Sequence, residues 1–245
     1  MKSVWVIYLV IVIYYLLGTA GIYFINSNKD PETRHKAWIK HFTYFFLISL
    51  IFFSIAIEVT VFRYIAAVII IAGFLELAKL FVKSGYSHIT FFVASLAVLA
   101  ALSAGFFFFT RMGQGLILFA FLILCIFDGF SQVTGQLLGK RKLFPEISPN
   151  KTVEGFIGGA TFAILSGLIF RQLIPEIPAP RVLLLGAFVV MFAFAGDTAK
   201  SVYKRKYNVK DFSRLIPGHG GFLDRFDSLI AGGAGVALLG WLTGL

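Results

Sequence analysis

Val4-Trp-Val-Ile-Tyr-Leu-Val-Ile-Val-Ile-Tyr-Tyr-Leu-Leu-Gly-Thr-Ala-Gly-Ile-Tyr-Phe-Ile25 runs for 22 residues without a charged side chain. A helix rises about 1.5 Å per residue, so this stretch is long enough to cross the ~30 Å hydrocarbon core of a bilayer. The alternative is a secretory leader. A leader's apolar core is usually about 7–15 residues behind a basic segment, and only Lys2 precedes this one. We read it as a retained span.

Working outward, the same character returns seven times: Phe42–Ile57, Tyr64–Val82, Ile89–Thr110, Gly115–Leu138, Gly155–Phe170, Val182–Lys204 and Asp224–Leu245. The second and third blocks are expected to be divided by a short turn around Arg63. The expected fold is therefore all-α, a polytopic transmembrane helix bundle of about eight spans. Composition agrees. The chain is 58% hydrophobic and 14% charged, whereas soluble domains average about 25% charged residues. The net charge of +10 would suit nucleic acid, but the basic residues lie in the gaps between apolar blocks, so that partner is not expected. Cys125 is a lone thiol inside an apolar run and carries no disulfide information.

Lys and Arg orient the bundle. The first, third, fifth and seventh loops with their flanks hold 17 of the 22 basic residues, and the N-terminus and even loops hold the other 5. The positive-inside rule then places the odd loops in the cytoplasm and both termini outside. The expected location is a bacterial-type inner membrane with a polar site facing the cytoplasm.

The chain reads as one domain, 1–245, whose halves differ. Residues 1–120 are mostly apolar filler with loop charges. Charged groups and glycines enter the spans from Asp128 onward, making 121–245 the candidate catalytic half. Ionisable groups in a bilayer are costly and mark function by default. Asp128, Ser131, Gln132, Gly135 and Gly139 share one helical face. In Ser148-Pro-Asn150-Lys151-Thr152-Val-Glu154-Gly155, Ser148 or Thr152 can cap the next helix, and Lys151 beside a helix N-terminus suits an anion. Asp197, Lys200, Ser201 and Lys204 share another face. Finally, Lys210-Asp211 precedes Pro217-Gly218-His219-Gly220-Gly221 and Asp224-Arg225-Phe-Asp227. That glycine loop can turn backbone N–H groups toward phosphate oxygens. Asp224 and Asp227 beside it suit Mg²⁺, which takes one or two carboxylates plus substrate phosphates. Glycine packing, helix caps and salt bridges account for part of each motif but leave the clustered charges unexplained. His35, His41 and His88 fall in loops or near span ends and receive no role.

At these residues the sequence resembles the phosphatidate cytidylyltransferases, or CDP-diacylglycerol synthases. Their signature is matched by Ser201, Lys204-Arg205, Lys210-Asp211, Pro217 to Gly221 and Asp224-Arg225-Phe226-Asp227, with Gly196-Asp197 before it and Ser148 to Gly159 matching a second stretch. The resemblance implies transfer of a cytidylyl group from CTP to phosphatidate, giving CDP-diacylglycerol and pyrophosphate. It also implies a metal centre on Asp197 and Asp224 that holds Mg²⁺, with a second monovalent or divalent cation left open. Asp227 and Asp128 would be supporting ligands, and Lys204, Arg205, Lys210 and Arg225 would neutralise the triphosphate. His219 would donate a hydrogen bond to leaving pyrophosphate, while Lys151 and the Asp128 face would serve the lipid headgroup. Ser148, Glu154, Lys200, Ser201, Asp211, Gly218, Gly220 and Gly221 complete the candidate binding set. Two departures from the family pattern, Ser131-Gln132 after the first Asp and Asn150 where Lys is frequent, leave a different lipid phosphate as an alternative acceptor. A transporter is the rival class. The expected partners are CTP and a membrane lipid phosphate, with a homo-oligomer left open.

Overall fold

The computed structural model describes residues 2–218 and 220–244. Eight helices, all long and apolar enough to cross a membrane, dominate the described residues. They are α1 (Lys2–Asn26), α2 (Pro31–Ile57), α3 (Val59–Lys83), α4 (Ile89–Phe109), α5 (Gln114–Leu138), α6 (Val153–Phe170), α7 (Ala179–Lys206) and α8 (Phe222–Thr243). A short antiparallel hairpin, β1 (Lys142–Phe144) and β2 (Ser148–Thr152), joins α5 to α6. The protein is a multi-pass membrane protein, as hydropathy required.

Local chemistry sets the helix ends. Asp30 caps α2, its carboxylate accepting from the Thr33 N–H at 2.9 Å. Hydrogen bonding from Thr33 holds that carboxyl below its ordinary range, and Pro31 supplies a preset φ at the first helical position. α2 therefore starts eleven residues before Phe42, and its polar opening turns are helical rather than the expected loop, with His35 and His41 inside them. The break between α2 and α3 falls at Glu58 and not at Arg63. Glu58 is extended (φ −151°), and its carboxylate accepts from the Thr60 N–H at 3.1 Å. Arg63 lies within α3, where its Nε donates to the Thr110 carbonyl at 3.1 Å.

The hairpin is the element that hydropathy could not show. Its second strand absorbs Ser148, expected as a cap, and delivers Thr152 to the N-cap of α6. The Thr152 Oγ1 accepts from the Gly155 N–H at 3.1 Å. Thr152→Ala is expected to destabilise the protein by about 1 kcal/mol and to speed amide exchange at Val153–Gly155, with Thr152→Ser close to wild type. Equal stability of Thr152→Ala and wild type in thermal unfolding would remove the cap from the argument.

α8 is the central span and α1 the outermost, since 72% of the α8 apolar window is buried against 7% for α1. Lipid tails are as apolar as leucine, so close packing rather than burial from water must hold the helices together. Small residues on α8 permit it. A Cβ at Gly233 would sit 2.7 Å from ring carbons of both Phe106 and Phe109, so α4 approaches α8 only over a bare glycine.

Contacts between helix ends show that the spans alternate. At one end, the hydroxyls of Tyr203 in α7 and of Tyr207 just after it donate to the carbonyls of Leu77 (3.0 Å) and Ser87 (3.2 Å), beside the end of α3 and the start of α4. At the other, Gln114 Nε2, opening α5, donates to the Ile55 and Ala56 carbonyls at 2.8 and 2.9 Å. The odd-numbered loops are thereby gathered at one end of the bundle, which is also where the intramembrane charges lie.

Candidate active site

A cavity of about 960 Å³ opens at that end. Of the expected site residues, Asp128, Lys151, Asp197, Lys200, Asp224, Arg225 and Asp227 line it, drawn from α5, β2, α7 and α8. Asp128, Ser131 and Gln132 of one expected face and Asp197 and Lys200 of the other reach that lining, whereas Gly135, Gly139, Ser201 and Lys204 do not.

Lys200 is the centre of this wall. Its Nζ lies 2.8 Å from Asp197 Oδ1 and 2.9 Å from Asp227 Oδ1, and it donates to the Asp224 backbone carbonyl at 3.0 Å. Lys151 Nζ reaches the other Asp197 oxygen at 2.6 Å, donates to Thr198 Oγ1 at 3.2 Å, and lies 4.7 Å from the Phe194 ring centroid. Asp197 thus bridges two ammonium groups. Such a network survives in an apolar bundle only because each charge is paired and hydrogen-bonded, since removing one partner strands the other.

Asp224 takes a different place from the one expected. Its Oδ1 pairs with Lys204 Nζ at 2.5 Å, while its Oδ2 accepts from the N–H groups of Phe212 (2.7 Å) and Gly221 (3.0 Å). Both oxygens are committed to holding the 212–221 loop against α8. The carboxylate that faces Asp197 across Lys200 is Asp227. The reason is helical spacing at the N-terminus of α8. Asp224 lies in the first turn, where it meets the orphan N–H groups that open the helix, and Asp227 lies one turn deeper, facing α7.

The glycine loop also departs from expectation. The N–H of Gly221, and those of Phe222 and Leu223 just after the loop, donate to the protein's own carboxylates, Gly221 to Asp224 and the other two to Glu76 (3.0 and 2.9 Å). Gly220 has φ +83°, and a Cβ there would meet Asp224 Oδ2 at 2.7 Å, so both conformation and space require glycine. His219 lies outside the described residues. Glu154, expected on substrate, is turned to the hairpin, accepting from the N–H groups of Lys140 (3.0 Å) and Arg141 (3.1 Å) and from Arg141 Nε (3.2 Å). Arg205 Nε donates to the Ile147 carbonyl at 3.0 Å, and the Ser201 hydroxyl to the Asp197 carbonyl at 2.8 Å. Those three residues brace the wall instead of lining it. Ser148, Lys204, Lys210, Asp211, Gly218, Gly220 and Gly221 are likewise absent from the cavity lining.

Two polar atoms of the lining are buried without a hydrogen-bond partner, Asp227 Oδ2 and Ser131 Oγ. Buried polar groups are nearly always satisfied, so each such exception needs an explanation. A ligand is the natural one. Among the described residues no group of three or more His, Cys, Asp or Glu closes on one point, which is not the arrangement of an all-protein metal cage. Mg²⁺, however, commonly takes only one or two carboxylates and completes its shell with water and substrate phosphates. Asp227, with its spare oxygen, fits that ion, and Asp197 beside it would join by releasing one of the two lysines it bridges.

Sequence reasoning missed two sets of residues. Glu76, inside α3, is only 4% exposed and accepts from the Ser213 hydroxyl (2.6 Å) as well as from Phe222 and Leu223. An acid in the middle of an apolar span was the signal that would have found it. The second set comes from α1 and α2. Asn26, Lys29, Lys36, Lys40, His41 and Tyr44 line the same cavity, and the Arg225 guanidinium lies 4.2 Å from the Tyr44 ring centroid. The first half of the chain is thus part of the site wall and not only filler.

Comparison with known proteins agrees with this architecture. The profile of the family described as "Cytidylyltransferase family" matches residues 1–243. The phosphatidate cytidylyltransferase of Bacillus subtilis (strain 168) is 46% identical over 122 residues, covering 49% of this chain and 45% of the relative. The protein of the same name from Staphylococcus epidermidis is 45% identical over 139 residues, 55% of this chain and 54% of the relative. That from Staphylococcus saprophyticus is 44% identical over 119 residues, covering 48% and 46%. The chain spans about half the length of these curated relatives.

Proposed function

Because the chain belongs to the cytidylyltransferase family, we propose that it transfers the cytidylyl group of CTP to phosphatidate, giving CDP-diacylglycerol and pyrophosphate. The observation that carries this reading is that one cavity is lined both by the Asp197–Lys200–Asp227 network and by Lys29, Lys36 and Lys40 of the α1–α2 segment. A phosphomonoester carries roughly −1.5 to −2 charges at neutral pH, and a triphosphate carries more. A wall with both carboxylates and free cations suits two such anions.

The acceptor is already an anion, so it needs no strong general base. One of its phosphate oxygens attacks the α-phosphorus of CTP, a P–O bond forms, and the bond to the β-phosphate oxygen breaks as pyrophosphate leaves. Positioning and charge neutralisation are the main sources of rate in such transfers. Lys151 and Arg225, both on the cavity wall, would draw in phosphate oxygens. Lys200 would hold Asp197 and Asp227 at fixed separation, and Lys204 would hold Asp224 and with it the 212–221 loop. Mg²⁺ on Asp197 and Asp227 would supply Lewis-acid neutralisation of the triphosphate. The proposed location is the bacterial cell membrane with the cavity at its cytoplasmic end, supported by the 17 basic residues of the odd loops and their flanks.

The test is purified protein with labelled CTP and a panel of lipid phosphates. The panel matters because Ser131, Gln132 and Gln136 of α5 line the cavity and give the acceptor polar contacts. The expected result is release of pyrophosphate only when CTP and phosphatidate are both present. Turnover confined to another lipid phosphate would change the acceptor. Solute uptake into proteoliposomes without CTP consumption would replace the reaction with transport.

A further inference from the structure

Two anions must sit in one cavity, and the charges on its two walls differ in kind. On the α5–α8 side each lysine already meets a carboxylate: Lys151 and Lys200 on Asp197, Lys200 on Asp227, and Lys204 on Asp224. On the α1–α2 side Lys36 pairs with Glu32 at 2.5 Å, but Lys29 and Lys40 meet no carboxylate among the described residues. Lys40 also lies against the glycine loop, where a Cβ at Gly218 would come 2.8 Å from its Cγ. The first wall is close to neutral and suits an anion only when a further cation comes with it. The second offers uncompensated charge directly.

Ile22 and Asn26 of α1 and Gln132 and Gln136 of α5 line the same cavity. Their sequence neighbours Tyr23 and Phe24 on α1 and Val133 and Leu137 on α5 are apolar and exposed. They would meet acyl chains, while Asn26, Gln132 and Gln136 offer hydrogen bonds at the depth of a headgroup.

We infer that the Lys29/Lys40 wall is the headgroup site for the lipid phosphomonoester and that CTP takes the carboxylate wall. This rests on the proposed reaction for its choice of lipid but assigns residues that the reaction alone does not.

Detergent-purified protein equilibrated with equimolar phosphatidate and phosphatidylglycerol, followed by native mass spectrometry of retained lipid, tests binding without turnover. Wild type is expected to retain phosphatidate preferentially. Lys29→Gln/Lys40→Gln is expected to lose that preference by about tenfold, and Lys29→Arg/Lys40→Arg to keep it. In steady-state assays the Gln variant should raise KM for phosphatidate about tenfold and leave KM for CTP unchanged. Equal phosphatidate retention by wild type and the Gln variant overturns the site, as does a KM rise confined to CTP. Should wild type turn over no lipid phosphate at all, the reaction fails while the retention ratio still decides the headgroup site.

Discussion

Asp227→Asn is expected to lower the rate of CDP-lipid formation by about 10² to 10³, the range seen when one preorganised charge-stabilising group is removed from an active site, while leaving the protein folded. The substitution is nearly isosteric. The carbonyl oxygen of Asn can still accept from Lys200, where Asp227 Oδ1 now lies at 2.9 Å. What disappears is the charge at the buried, unpartnered Oδ2. Asp224→Asn should behave differently. Both Asp224 oxygens are engaged, one by Lys204 and one by two backbone N–H groups, so its loss should lower thermal stability together with activity. Asp197→Asn should resemble Asp227→Asn in rate, and both should weaken the Mg²⁺ dependence of turnover. The measurement is kcat beside the unfolding midpoint in detergent for all three variants. An Asp227→Asn enzyme at near wild-type rate, with Asp224→Asn folded but inert, would return the metal to Asp197 and Asp224 as the family resemblance implies.

Glu76→Ala should have the largest effect on stability. Three donors converge on that carboxylate: the Ser213 hydroxyl and the N–H groups of Phe222 and Leu223. Without it, three groups lose their acceptor where little water reaches, at roughly 1–3 kcal/mol each. A loss of about 3 kcal/mol or more is expected, in the upper tail for single substitutions. The N-terminus of α8 carries both Asp224 and Asp227, so activity should fall with it. Glu76→Gln should recover part of both, because one carbonyl oxygen still accepts. An unfolding midpoint of Glu76→Ala equal to that of wild type would show that the carboxylate does not anchor α8.

Asp197, Lys200 and Lys204 were recognisable as one face because helix geometry is local and periodic. Asp227 was recognisable as a carboxylate near the same motif. Which of Asp224 and Asp227 would look at Asp197 was not, because that depends on how α8 sits against α7. Glu76 is readable as an acid inside a span, but its partners Ser213, Phe222 and Leu223 lie 137, 146 and 147 residues away, beyond any local spacing. The α1–α2 wall left a fainter trace. Lys29, Lys36 and Lys40 read as ordinary loop charges until the turn after α1 and the opening of α2 bring them to the cavity.

The amino-acid sequence by itself determined that the chain crosses a membrane as a bundle of about eight helices, and which residues carry its family signature. It could do so because an uncharged stretch of about 20 residues has few stable dispositions, and because a helix repeats its faces at fixed intervals. Only the tertiary structure decided which charges meet: Lys200 between Asp197 and Asp227, Asp224 with Lys204 and the glycine loop, Glu76 beneath α8. Pairings between helices depend on packing over distances that no local spacing encodes. In an apolar bundle each buried charge must find a partner, so those pairings follow from how the helices pack and not from spacing along the chain.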